Sequence, residues 1–598
     1  MKHILRPFSQ YFLIGVVILS GSLAQTSWKP VEGHIMTRWA TEVGPDNALP
    51  EYPRPMMVRE NWQSLNGIWD FAITHKAGTP REFNREILVP YPVESALSGI
   101  KETVGPFRRV WYKKDLELEP AENERVLLHF GAVDWESQVF VNDHYVGTHQ
   151  GGYDPFSYDI TEFLESGTNT IVVTAWDPTD LGKQPVGKQS SQPRSIWYTA
   201  VTGIWQSVWM ETVPNSYISS LKITPEVDEN RVKVEVHVEN FQDDQSLVLK
   251  ALSEGEIEGS STGIPKQPFY IYLEDPQLWS PDMPFLYDLE VTLQNEANDV
   301  LDEVSSYFGM RKITMEKAAD GFNRLMLNDE PLFHLGPLDQ GWWPDGLYTA
   351  PTDDALTYDI QVTKDLGFNM LRKHVKVEPQ RFYYWCDVLG ILVWQDMPSG
   401  DMMPGKFPNR TPESQHIFRT EYKAMIDALY NHPSIVMWVP FNEGWGQFET
   451  EDITRWTQEY DPTRLVNNAS GWTDKNVGDV HDMHRYPGPA MPEPEPNRAV
   501  VLGEFGGQAL PVEDHLWIND FANAPTHFKT SRTREDLFNA YSEQLKALLP
   551  LKEKGLAAAV YTQTTDVESE VNGFMTYDRE VIKYELEALT ALHSKLYE

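Results

Sequence analysis

The 598-residue sequence holds a single cysteine, Cys386. No intramolecular disulfide can form, so the fold must be held by packed cores. Cys386 sits in "YYWCDVLGILVW" and is expected to be a small buried apolar residue; a nucleophilic thiol needs exposure and a base. Positive charge is also scarce. Lys and Arg number 50 against 88 Asp and Glu, a formal net charge of −38. Binding a nucleic-acid backbone needs clustered Lys and Arg, so that partner class is excluded. A local basic pocket stays compatible with the count. There is no glycine-rich phosphate loop, no dinucleotide fingerprint and no zinc spacing. His481 and His484 stand three apart without an evident third ligand, so no metal site is expected.

Long apolar runs are missing, with one exception at the start. "MKHILRPFSQ" carries Lys2 and Arg6, and "YFLIGVVILSGSLA" follows, ending in small residues. Residues 1–24 read as a signal peptide cleaved after Ala24. The alternative is a retained anchor, but the apolar core from Tyr11 to Leu19 is short for a span. No cysteine is near the cleavage point to carry a lipid. Export without disulfides suits a bacterial periplasm or the medium outside, with no membrane span left after cleavage.

What the sequence has in plenty is aromatic: 20 Trp and 26 Tyr. Many will pack cores, yet aromatic faces also stack on the C–H surfaces of sugars. A chain this long needs two to four domains. Residues 25–58 are irregular and proline-rich, a lead-in that wraps a neighbour. From "SLNGIWDFAI" onward come short apolar or alternating runs, including "RVLLHFGAV" and "NTIVVTAWD", separated by turn residues. They predict a jelly-roll-like β-sandwich, giving a first domain over 25–215. Residues 216–315 repeat the texture on the scale of an immunoglobulin-like β-sandwich.

After residue 316 apolar strand-like runs alternate with helical periodicity. Strands are expected at 331–336, 369–374, 391–396, 434–440, 465–470, 479–484, 499–506 and 557–564. Eight such units over 316–598 predict a (β/α)8 TIM barrel. An open doubly wound sheet is the competitor; the count and the polar residues at the strand ends favour the barrel.

A barrel carries its site at the C-terminal ends of its strands. Glu443 follows the fourth in "VPFNEGWGQF", and Glu504 ends the seventh in "VLGEFGG". A carboxylate at the end of an apolar run is unfavourable unless paired or used. Strands four and seven face each other across a barrel mouth, and cleaving a glycosidic bond takes two carboxyl groups. One must hold a proton and the other must stay ionised. Either glutamate alone could be a structural ion pair; two together point to chemistry. Asn442 can bond the hydroxyl beside the reacting carbon. Arg372, ending strand two, is placed to keep Glu504 ionised, or to form a buried ion pair without that role. Tyr486 could donate to Glu504. His484 and His374 could contact sugar hydroxyls, and Tyr486 and His484 could equally brace loops. His481 and His334 carry weaker signals. Trp342, Trp343, Trp394, Trp445, Trp472 and Tyr561 fit the walls of a sugar pocket. Asp339 and Asp396 are possible hydroxyl acceptors. "QTTDVESEVNG", 563–573, is acidic enough to bind hydroxyls or, less readily, a divalent cation.

At these residues the chain resembles glycoside hydrolase family 2, which holds β-galactosidases, β-glucuronidases and β-mannosidases. "PFNEGWG" is similar to the family's acid/base segment and "VLGEFGG" to its nucleophile segment. "GGYDPFSYDIT" and "GIWQSVWME" are similar to its sugar-binding-like sandwich. The resemblance covers essentially the whole mature chain. It implies a retaining exo-β-glycosidase, with Glu504 attacking and Glu443 donating and then removing the proton. It implies no redox or group-transfer cofactor; some members use magnesium and sodium, but no ligand set carries over. The family's glucuronidases carry an Asn-x-Lys segment after the last strand, and here "VNGFMTYDRE" keeps Asn572 without the lysine. The larger galactosidases have further C-terminal domains and a His-Tyr-Pro pattern where this chain has "RKHVKVEP". The leading expectation is a β-galactosidase acting on oligosaccharides or polysaccharide-derived sugars. The alternatives are a β-glucuronidase, another β-glycosidase or a non-catalytic carbohydrate-binding protein. The first sandwich is expected to brace the barrel, and a homo-oligomer is compatible with the sequence.

Overall fold

The computed structural model describes residues 28–33, 35–119, 121–399, 410–518 and 529–598. The signal-peptide reading, 1–24, lies outside the described residues. Among those residues no helix is long and apolar enough to cross a membrane.

The first unit is a two-sheet antiparallel sandwich. Its larger sheet has six strands, with Arg108–Leu118 and Gly167–Trp176 at the centre. Its smaller sheet has four, built on Val208–Pro214 and Glu124–Phe130. Side chains alternate across each strand: in Glu136–Val141, Ser137, Val139 and Val141 are buried and their neighbours are partly open. Trp69, Phe71, Val110, Tyr112, Leu128, Phe130, Val139 and Val173 fill the space between the sheets.

The second unit pairs a three-stranded with a four-stranded sheet over Tyr217–Phe308. Period-two alternation puts Val232, Val234, Leu247, Leu249, Leu289 and Val291 in its core. Its Trp279 is fully buried and donates from Nε1 to the carbonyl of Asp387 in the barrel at 2.8 Å. The lead-in does wrap its neighbours. Thr37 bonds Asp345 through backbone and hydroxyl, Arg54 pairs with Glu211 of the sandwich, and Val58 bridges to Ser305 of the second unit.

The third unit is a nearly closed eight-stranded parallel barrel. Its strands, in chain order, are His334–Asp339, Met370–Lys373, Leu392–Asp396, Ile435–Val439, Leu465–Val466, Val480–Arg485, Ala499–Gly506 and Leu556–Thr562. They run in spatial order five-four-three-two-one-eight-seven-six. The ring is unpaired only between strands five and six, where Val466 and Asp479 exchange bonds instead. No helix follows strand five or six; helices follow the other six strands. Three of those helices start on a threonine whose hydroxyl accepts a backbone N–H: Thr352, Thr411 and Thr533. The second helix ends at Gly390, φ +75°, the left-handed turn that favours glycine. A hairpin, Ile313–Lys317 with Asn323–Leu327, closes the barrel floor. Its Ile313, Leu325 and Leu327 pack beneath Leu338, Met370, Leu392 and Val560. The core is therefore solid below, and chemistry is confined to the other end. Cys386 is fully buried in the layer outside the strands, as expected of an inert thiol.

Candidate active site

Strand four runs apolar through Val439 and Pro440, then turns. Glu443 lies in the left-handed region, φ +53°, unusual for a residue with a side chain. Its amide donates to Ser470 at 2.6 Å, and Asn442 bridges to Ser470. The loop after strand four is thus laced to the one after strand five, and this aims Glu443 into the mouth. Strand seven slips register around Gly503 and Glu504, and strand six slips at His484. Such irregularities re-aim side chains near active sites. Gly503 has no alternative: a Cβ there would lie 2.2 Å from Asp482 Oδ2 and 2.4 Å from Ser470 Oγ.

Glu443, His484 and Glu504 each place one atom within 4.8 Å of the others. Both glutamates are 7% exposed. His484 Nδ1 is 2.8 Å from Glu443 Oε1 and 3.4 Å from Glu504 Oε2. Its Nε2 is 2.9 Å from Ser470 Oγ, which donates to Asp482 Oδ2 at 2.6 Å. Burial disfavours a charged imidazole, but Glu504, Glu443 and Asp482 outweigh it and raise the His484 pKa.

Arg372 is fully buried at the end of strand two. Nε and Nη2 fork onto Asp396 at 3.0 and 2.8 Å. Nη2 also reaches Asn442 Oδ1 at 2.7 Å, and Nη1 reaches Glu504 Oε1 at 3.2 Å. Tyr486 donates to Glu504 Oε2 at 2.7 Å. Burial alone would protonate Glu504; the charges of His484 and Arg372 reverse that and hold its pKa near 2. His374 bonds Asp396 Oδ2 at 3.0 Å. Burial and the neighbouring Lys188 and Arg372 push its pKa well down, so it is a neutral ring beside the site.

These residues gather at one mouth: Glu443, Glu504, Asn442, Arg372, His374, His484 and Tyr486. Trp472 joins them at the rim, 56% exposed and edge-on to His484 at 5.9 Å. Three expected contacts are not brought together with them. Asp339 is engaged by Lys373 Nζ at 2.6 Å, in a buried ion cluster with Glu378. It lies one residue past Leu338, which faces the barrel interior, so it points out of the barrel. Trp394 is fully buried in the barrel interior, donating to His334 Nδ1 at 3.1 Å. Tyr561 packs outside the strands against Phe505, Tyr541 and Phe574, and its hydroxyl accepts from the amide of Gln508. Trp342 and Trp343 are likewise core. Asp396, read as a hydroxyl acceptor, is occupied by Arg372 and His374. His481 pairs with Glu495, away from His484.

Other residues of the site gave no sequence signal. Ser470 holds His484 and is itself held by Asp482. The first sandwich also reaches the barrel mouth. Its paired segments Gln189–Ser190 and Tyr198–Thr199 dock on the barrel mouth. The Tyr198 hydroxyl donates to Glu570 in the loop after strand eight, and the Thr199 amide donates to Glu568 at 2.8 Å. Trp197 packs on Trp445 of the strand-four loop at 5.5 Å. Burial raises the Glu568 pKa to about 7 and moves that of Glu570 upward. The one described group of three residues able to hold a metal ion is Glu443, His484 and Glu504. Its atoms are those a glycosidic cleavage would use, so the same donors serve either occupant.

The arrangement offers an ionised carboxylate and a second carboxyl group whose oxygens lie within 4.8 Å of each other. Comparison with known proteins follows the same lines. Residues 80–214 match the sugar binding domain of glycosyl hydrolases family 2, 216–311 a second domain of that family, and 349–495 its TIM barrel domain. A Formosa agariphila protein provisionally named a β-glucuronidase is 31% identical over 58% of this chain and 41% of its own. A Lactococcus lactis β-galactosidase is 25% identical over 74% of this chain and 45% of its own. The chain thus spans under half the length of these curated relatives. Ruminococcus gnavus β-glucuronidase shares the fold with a TM-score of 0.73 at 19% identity, covering 92% of this chain and 100% of the other. Three consecutive domain matches, in the order the fold shows, establish that the chain belongs to glycosyl hydrolase family 2.

Proposed function

We propose that the chain is an exported, retaining exo-β-glycosidase that removes terminal β-linked sugars from oligosaccharides, with β-galactosides as its leading substrates. β-Glucuronides are the alternative, since relatives carry both names. One observation carries the reading: carboxylate oxygens of Glu443 and Glu504 lie within 4.8 Å. Carboxyl groups roughly 5–5.5 Å apart suit direct attack by one of them; roughly 6.5–9.5 Å leaves room for a water.

Glu504 attacks the anomeric carbon as Glu443 protonates the departing oxygen, which leaves with the electron pair of the broken bond. Glu443 then takes a proton from water, and the oxygen of that water displaces Glu504 from the sugar. Arg372, Tyr486 and His484 keep Glu504 ionised until it attacks. The sandwich segment touches the loops after both strand four and strand eight, a roof that suits the end of a sugar chain over its middle.

The test is nitrophenol release from aryl β-glycosides of galactose, glucuronic acid, mannose, glucose, xylose and fucose. We expect turnover of one sugar, lost at least about 1,000-fold in Glu504→Gln. A 2-deoxy-2-fluoro glycoside should add one sugar mass to the peptide holding Glu504. Equal activity in wild type and variant, or label elsewhere, would refute the reading. Sugar binding without turnover in either protein is what a non-catalytic binding protein would give.

A further inference from the structure

Lys188 belongs to the sandwich yet lies at the barrel mouth. It is 6% exposed, its carbonyl accepts from the Tyr198 amide at 3.0 Å, and its Nζ sits 5.7 Å from the Tyr198 ring centre. Its ammonium makes no ion pair among the described residues. The carboxylates acting on it at longer range are Glu570, Glu504 and Glu443. Glu570, 7% exposed, is fixed by Tyr198 through one oxygen. The double displacement uses neither Lys188 nor Glu570. Burying both is unfavourable unless something engages them.

The charges around them identify what that is. Arg372 is committed to Asp396, Asn442 and Glu504. His484 is shared by Glu443 and Glu504, which leaves Lys188 as a cation without an ion pair among the described residues and one of the groups that keep Glu504 ionised. A carboxylate on the substrate would draw Lys188 away from Glu504 and set two like charges close together in a poorly screened pocket. A hydroxyl meets no such penalty. It accepts from an ammonium and donates to a carboxylate, and a sugar presents several side by side.

We propose that Lys188 and Glu570 form a recognition pair, one residue from each domain, that binds hydroxyls of a neutral terminal sugar and rejects a uronic acid. The inference rests on the glycosidase reading of the same site. It assigns the sandwich a direct part in choosing the substrate, and it replaces the lysine that the strand-eight loop lacks with a differently used one.

The test uses the full chain as wild type, Lys188→Met, Glu570→Gln and Glu504→Gln. Calorimetry measures binding of D-galactose and D-glucuronate, and kinetics uses the matching aryl glycosides. We expect wild type to prefer a neutral glycoside over the glucuronide by at least about 100-fold in kcat/KM. Lys188→Met and Glu570→Gln should each lose about 30-fold or more on the neutral substrate, chiefly through KM, and weaken monosaccharide binding in parallel. A neutral substrate lacking the contacted hydroxyl should lose as much on wild type and no more on Lys188→Met. The nearly isosteric Glu570→Gln covers a folding failure of the lysine variant. Preferred hydrolysis of the glucuronide, or its selective loss in Lys188→Met, would overturn the proposal. So would unchanged kinetics in both variants while Glu504→Gln is dead, and the glycosidase reading would then survive. No turnover and no sugar binding by wild type would sink both.

Discussion

The Tyr486 hydroxyl donates to Glu504 Oε2 at 2.7 Å and shares its other side with Thr562 Oγ1 at 2.6 Å. Burial and the Glu504 charge push the phenol pKa well up, so it stays a donor. A hydrogen bond to a charged group contributes about 1.5–3 kcal/mol. Tyr486→Phe should therefore lower kcat about 10- to 100-fold with KM little changed. Steady-state kinetics on an aryl glycoside decides; a change in KM alone would make Tyr486 a pocket wall.

Arg372 ties Asp396, Asn442 and Glu504 into one network. Arg372→Met strands two buried carboxylates and should destabilise by about 3–5 kcal/mol. Lysine cannot fork onto Asp396 and reach Glu504 at once, so Arg372→Lys should fold and still lose about 100-fold in kcat. Denaturant melts paired with kinetics separate the effects. Full activity in the lysine variant would contradict the assigned role.

Glu504 and His484 contribute to stability in opposite pH ranges. Glu504 is held near pKa 2 against an ordinary 4.5. Its contribution, on the order of 3 kcal/mol, is complete above about pH 4.5 and lost as pH falls toward 2. His484 has a raised pKa. Its contribution is complete below about pH 6.5 and lost as pH rises through the folded value. Unfolding midpoints across pH should show wild type and Glu504→Gln converging in acid, and wild type and His484→Asn converging in base. Parallel curves would refute the charge assignments.

Trp472 is exposed at the rim. Removing an exposed ring changes stability by about 0.5 kcal/mol or less. Trp472→Ala should therefore melt like wild type yet raise KM several-fold for an oligosaccharide. An unchanged KM would show that the ring holds no sugar.

Gly503→Ala drives a methyl group into Ser470, which holds His484, and into Asp482, which holds Ser470. Overpacking of this kind destabilises by about 1–3 kcal/mol. Activity should fall further than stability, because the displaced atoms orient the acid pair. A fully active variant would show that His484 needs no such support.

The strand positions were legible because a buried parallel strand writes itself as an apolar run ending in a polar residue. Glu443, Glu504 and Arg372 stand at such ends. Side-chain direction was harder. The first barrel strand was expected at 331–336 and runs from His334 to Asp339, and a strand's two faces alternate with each residue. Asp339 therefore points outward and Leu338 inward. Trp394 faces inward but too deep to reach a ligand. Ser470 and Asp482 come from loop and strand positions whose pairing depends on the slips in strands six and seven. Lys188 lies in an irregular Gly-, Pro- and Ser-rich stretch, where no periodicity states which way a side chain turns. It meets Glu570 only because two separate cores are docked.

That docking divides the mouth between two domains. The proposed bond-breaking groups are carried by the barrel, whereas the sandwich places Lys188, Trp197 and Tyr198 at the same mouth. On the proposed roles, a change in that one segment of the sandwich would alter which sugar is accepted and leave the cleavage chemistry untouched. The seam between Tyr198 and Glu570 is where the two domains must keep agreeing.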